Sequence, residues 1–105
     1  MPCGYAEAEV DRVIATDSGP VVLVRRTGRG GDEALPIWVG AAEGRAISRG
    51  LLGADMPRPM THDLLASTVD ELGAEVHHVR VDHLRPDGVY VGTVALETPE
   101  GPVTI

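Results

Sequence analysis

The stretch Leu35–Leu65, LPIWVGAAEGRAISRGLLGADMPRPMTHDLL, decides the fold. It opens on a short apolar run, Leu35-Pro36-Ile37-Trp38-Val39, closed by Gly40. From Ala41 to Leu52 the spacing turns helical. Ala42, Ala46, Ile47, Gly50 and Leu51 fall on one side, while Glu43, Arg45 and Arg49 sit mostly off it. Gly53 is the expected stop. The segment 54–60 carries two prolines and reads as loop. Thr61 then reads as the N-cap of a second helix that runs to Leu72 and ends at Gly73, with Leu64, Leu65, Val69 and Leu72 on its apolar side.

Strands flank this helical centre. Ala8–Thr16 reads as a strand, and Asp17-Ser18-Gly19-Pro20 as a turn. Val21–Val24 is a continuous apolar run, the pattern of a strand covered on both faces. The glycine-rich run Gly28-Arg29-Gly30-Gly31 joins it to Leu35–Val39. With no helix after it, that run is a hairpin loop rather than a phosphate cradle. These three strands predict an antiparallel meander. Beyond the helices, Glu75–Leu84 and Val89–Glu97 predict a hairpin across the turn Arg85-Pro86-Asp87-Gly88. Thr98–Pro102 is a further turn, and Val103-Thr104-Ile105 begins another strand. No internal repeat stands out. Strands and helices are segregated in the order β-β-β-α-α-β-β with a terminal strand beginning, which predicts an α+β fold with a largely antiparallel sheet and two packed helices. A length of 105 residues predicts one domain, 1–105.

Sixteen acidic residues against nine basic ones leave a net charge of −7. All nine bases are Arg, a bias that a GC-rich genome explains more simply than the fit of Arg's planar fork to phosphate or carboxylate. Net charge of this sign argues against general nucleic-acid binding, so such an activity needs a local Arg cluster or a bridging cation. No apolar run approaches a membrane span, and Met1-Pro2-Cys3-Gly4 leads into acidic sequence rather than a signal peptide. A single Cys3 cannot form an internal disulfide. The expectation is therefore a cytoplasmic chain with no membrane partner.

The polar residues of the opening stretch are the candidates for chemistry. Glu43 and Asp63 lie near helix starts, where the dipole alone favours a carboxylate. If the two converge, they offer oxygen ligands to a divalent cation, Mg²⁺ or Mn²⁺. Arg58 stands beside the start of the second helix, whose free N–H groups suit an anion together with Thr61. His62 either borders the core or moves a proton. His77, His78 and His83 invite a metal reading. On a regular strand, however, His77 and His83 share one face roughly 20 Å apart and His78 takes the other.

Leu35–Gly40 with Glu43, combined with Arg58-Pro59-Met60-Thr61-His62-Asp63-Leu64-Leu65, resembles the bifunctional nuclease domain family, also known as DUF151. The hairpin carrying Asp87-Gly88-Val89-Tyr90 fits the same pattern, and the resemblance covers roughly Val10–Ile105. It implies an α+β fold with a mixed, strongly bent sheet, association into homo-oligomers, and cleavage of DNA and RNA. Under it, Glu43, His62 and Asp63 are the catalytic candidates, and Arg58 and Thr61 the phosphate-binding ones. The rival expectation is a non-catalytic anion-binding or assembly module. Family members usually continue past the second hairpin with a strand and a D-x-R-P-S-D-A helix. Under the resemblance, this chain is expected to lack both.

Overall fold

The computed structural model describes residues 4–28, 33–53 and 58–105. The expectations for Cys3, for most of the glycine-rich loop and for the start of the 54–60 loop lie outside these residues. The chain divides into two compact units, residues 1–55 and 56–105.

In the first unit, β1 (Ala8–Thr16), β2 (Gly19–Arg26) and β3 (Ala34–Trp38) form an antiparallel sheet in chain order. Cross-strand partners share a face. The register therefore places Val13 beside Val22 and Ile37, and Ala15 beside Pro20, on one face. The neighbouring Val21 and Val22 point to opposite faces and are only 6% and 4% exposed. That is the two-sided burial their continuous apolar run predicts.

Helix α1 (Ala41–Leu52) lies against β1 and β2. Its contact is set by Gly44, the one buried residue of the helix. A Cβ at Gly44 would stand 2.8 Å from both Cβ and Cγ of Pro20. The helix therefore approaches the β1–β2 turn more closely than any side chain would allow. Gly53 ends the helix in the left-handed conformation, at φ 64°, with its N–H directed to the carbonyls of Arg49 and Gly50.

In the second unit, α2 (Thr61–Glu71) precedes the antiparallel sheet of β4 (Glu75–Leu84), β5 (Tyr90–Thr98) and β6 (Gly101–Thr104). The described strands thus form two three-stranded antiparallel sheets, an α+β arrangement. β4 departs from regular alternation. Its register against β5 slips between Val76 and His78 and again between Val81 and His83. Each slip is a β-bulge carrying an extra residue, His77 in one and Asp82 in the other. As a result, Val76, Val79, Val81 and Leu84 all pair with even-numbered residues of β5 and share one face. Their spacing of three, two and three would scatter them over both faces of a regular strand.

One turn is built twice. Thr16 donates its hydroxyl to the Gly19 carbonyl at 2.6 Å and accepts the Ser18 N–H at 3.2 Å. Thr98 does the same with Gly101 and Glu100, at 2.7 and 3.2 Å. Both glycines have positive φ, 119° and 114°. The segments Thr16-Asp17-Ser18-Gly19-Pro20-Val21 and Thr98-Pro99-Glu100-Gly101-Pro102-Val103 are a short internal repeat, which the reading of the sequence passed over.

Two glycines of α1 yield opposite predictions. Gly50 has open space where a Cβ would stand. Gly50→Ala therefore gains helix propensity and stabilises by about 0.5–1 kcal/mol. Gly44→Ala makes the same gain, but overpacking against Pro20 costs about 1–3 kcal/mol and outweighs it. Urea denaturation of the two variants should shift the midpoint in opposite directions.

Candidate functional site

Glu43 and Asp63 occupy the same place in their respective helices. The N-cap of α1 is Gly40, and Glu43 is the third helical residue. Its carboxylate folds back over Gly40, into the space that a Cβ there would occupy. The N-cap of α2 is Met60, and Asp63 is again the third residue. Its Oδ2 accepts the Met60 N–H at 2.7 Å, while the Met60 side chain takes the Asp63 N–H. This is a reciprocal capping arrangement with a sulfur in place of the usual hydroxyl. The structure corrects the reading of Thr61 as the N-cap. Thr61 is the first helical residue, because the Asp63 carboxylate reaches the backbone one position earlier.

Arg58, Thr61, His62 and Asp63 are gathered at the start of α2. Arg58, Thr61 and Asp63 are exposed, and His62 is half-buried. Among the described residues Arg58 has no hydrogen-bond or ion-pair partner. One oxygen of Asp63 is committed to Met60. Glu43 belongs to the first unit and the other four to the second. Among the described residues no three His, Cys, Asp or Glu side chains cluster closely enough to enclose a metal ion. In the first unit, a shallow cleft of about 280 Å³ opens between α1 and the β1–β2 turn. Its floor is apolar (Val13, Ala15, Pro20 and Gly44), with Arg45 and Ser48 among its polar lining.

The bulges of β4 create a polar chain that regular alternation does not predict. His77 and His78 were expected on opposite faces. With the extra residue at 77, their rings instead lie 4.9 Å apart, edge to face, with the Nδ1 atoms at 2.6 Å. His78 and His83, rather than His77 and His83, share a face through Ala95 and Val91. Arg80 Nη1 lies 3.2 Å from His78 Nε2, and Arg80 Nε 3.4 Å from Asp82 Oδ1. Thr93 donates its hydroxyl to Asp82 Oδ2 at 2.5 Å. Donor chemistry fixes the tautomers. Arg can only donate, so His78 accepts at Nε2 and carries its proton at Nδ1. That proton goes to His77 Nδ1, leaving the His77 proton on Nε2. The signal in the sequence was the three-two-three spacing of Val76, Val79, Val81 and Leu84, which requires an extra residue in each wide gap.

Residues 21–105 match the bifunctional nuclease domain, and the chain belongs to that family. It is 36% identical over 83 residues to the uncharacterized protein Rv1829 of Mycobacterium tuberculosis (strain ATCC 25618 / H37Rv). It is equally similar to the uncharacterized protein MT1877 of strain CDC 1551 / Oshkosh. The match takes in 79% of this chain and 49% of each relative, so the chain spans about half their length. No helix among the described residues is long and apolar enough to cross a membrane.

The capping role of Asp63 is open to direct measurement. Asp63→Ala should destabilise the chain by about 1 kcal/mol in urea, with a loss of helical circular dichroism. Asp63→Asn keeps an oxygen for the Met60 N–H and should cost less than half as much.

Proposed function

We propose that this chain is a nuclease domain that hydrolyses phosphodiester bonds of DNA and RNA, and that it works as a cytoplasmic homo-oligomer. The observation that carries the reading is membership of the bifunctional nuclease domain family across residues 21–105. The start of α2 supplies suitable chemistry. Arg58 offers a guanidinium to a phosphate, and the first-turn N–H groups with Thr61 favour an anion. His62 is a proton carrier within the same turn.

A divalent cation fits this turn only in part. Asp63 offers one hard oxygen once Met60 is served, so the remaining ligands would come from water and substrate phosphate, a habit of Mg²⁺. Such an ion would lower the pKa of an attacking water. Glu43 is the second carboxylate candidate. The cytoplasmic placement rests on the single cysteine, which fits a reducing compartment.

The rival reading is a non-catalytic anion-binding or assembly module, with Asp63 as a cap and nothing more. It is favoured by the hydrogen bond that already occupies Asp63 Oδ2.

Hydrolysis of single-stranded DNA and RNA with Mg²⁺ or Mn²⁺ separates the two. The nuclease reading expects His62→Ala and Asp63→Asn each to lose about a hundredfold or more in rate while remaining folded. Equal rates for wild type and both variants would overturn the site. A thermal shift with phosphate that chelator does not alter, without hydrolysis, would support the module.

A further inference from the structure

The two bulges of β4 are tied to each other through one guanidinium. Arg80 stands between the bulge at His77 and the bulge at Asp82. Its Nη1 donates to His78 Nε2 at 3.2 Å, and its Nε to Asp82 Oδ1 at 3.4 Å. On one side His78 carries the chain on to His77, through Nδ1 atoms 2.6 Å apart. On the other side Asp82 carries it to β5 by accepting the Thr93 hydroxyl. The result is a polar strap along the strand, with Arg80 as its middle link.

The bond between the two imidazoles is linear. Ring centres 4.9 Å apart and Nδ1 atoms 2.6 Å apart leave only the two ring radii over, so each Nδ1 points at the other. One proton fits between them. Because Arg80 can only donate, that proton belongs to His78 Nδ1. Both lone pairs of the imidazole pair are then in use. His78 Nε2 holds Arg80, and His77 Nδ1 holds His78. A further proton ends one of these bonds wherever it enters.

The two points of entry differ. A proton on His77 Nδ1 sets two N–H groups head to head on the line between the rings. A proton on His78 Nε2 leaves that line intact and makes its hydrogen bond charge-assisted, roughly twice as strong as a neutral one. It also sets an imidazolium 3.2 Å from a guanidinium, and the two cations repel. Arg80 has another partner at hand in Asp82. The register places the remaining ionisable groups of this face. Glu75 and Glu97 pair with each other across β4 and β5 beyond His78 and Ala95, and His83 stands opposite Val91 at the far end. β6 brings only Pro102 and Thr104 to these rows. Arg80 is therefore the cation on this face that a charged His78 meets.

We propose that the strap is a proton-operated device: uptake of a proton at His78 Nε2 parts His78 from Arg80, unties the first bulge from the second and gives Arg80 to Asp82. The imidazole pair survives the change, and the link between the bulges does not. The first bulge then opens more readily, while the second keeps Arg80 and Thr93 on its carboxylate.

Nuclear magnetic resonance of the full chain, titrated from about pH 8 to about pH 5 across the usual histidine range, tests the proposal. Long-range proton–nitrogen correlations read which ring nitrogens carry protons. At the upper end His78 should be protonated at Nδ1 alone and His77 at Nε2 alone. At the lower end His78 should carry both protons and keep its ring contact with His77, with its Overhauser contacts to the Arg80 side chain lost. The amide protection factor of His78 should fall about tenfold relative to that of Asp82, the scale of one lost hydrogen bond. Arg80→Gln offers an oxygen to the new N–H, so this variant, its fold confirmed by circular dichroism, should show no such fall. A proton on His78 Nε2 at the upper end would overturn the device, as would a His78 that stays singly protonated throughout. So would Arg80 contacts that persist once both His78 nitrogens are protonated, or an equal loss of protection in Arg80→Gln.

Discussion

Two extra residues in β4, His77 and Asp82, decide what the second unit can do. A strand with strict alternation would divide Val76, Val79, Val81 and Leu84 between two faces, and neither face would be apolar along its length. With one bulge in each wide gap the four align against β5. The bulged residues then join the other face's polar residues. His77 meets His78, and Asp82 is held by Arg80 and Thr93. One irregularity, used twice, sorts the sheet into an apolar side and a hydrogen-bonded side.

The helix starts follow a different economy. In both helices a carboxylate at the third position turns back on the N-cap, which in α1 is a glycine and in α2 a methionine. Neither N-cap offers a hydroxyl or carboxylate; at α2 the Asp63 carboxylate accepts the N-cap N–H, the half of a capping box that the third residue supplies. This local role does not compete with phosphate chemistry at α2. A carboxylate that gives one oxygen to the Met60 N–H keeps its second oxygen for other contacts. The family to which the chain belongs gives that turn its interest, and the reciprocal cap gives it rigidity.

Much of the fold was legible because its signals are local. β1, α1 and β4 run between the residues that periodicity and turn chemistry mark, and Gly53 ends α1 as its position suggests. The α2 boundary was shifted by one residue because Thr61 has the favoured chemistry for a cap, whereas Asp63 decides it through a bond three residues back. The bulges are hidden from a reading by alternation because Val79–Asp82, between them, obeys it. The wide gaps on either side carry the information. The repeated Thr-x-x-Gly-Pro-Val turn was missed for a similar reason. Each copy reads as an ordinary turn, and only the pair of hydroxyl bonds common to both makes it one device. The candidate site was legible as a motif but not as chemistry, since cap and catalyst call for the same residue types at a helix start.

The bulged register of β4 is the claim on which the account rests, and cross-strand nuclear Overhauser contacts measure it directly. The account predicts that His78 contacts Ala95 and His83 contacts Val91 across the strands, with Val76 opposite Leu96, Leu84 opposite Tyr90, and His77 and Asp82 without direct partners on β5. An unbroken ladder, with Val76 opposite Leu96 but His77 opposite Ala95 and His78 opposite Val94, would contradict it.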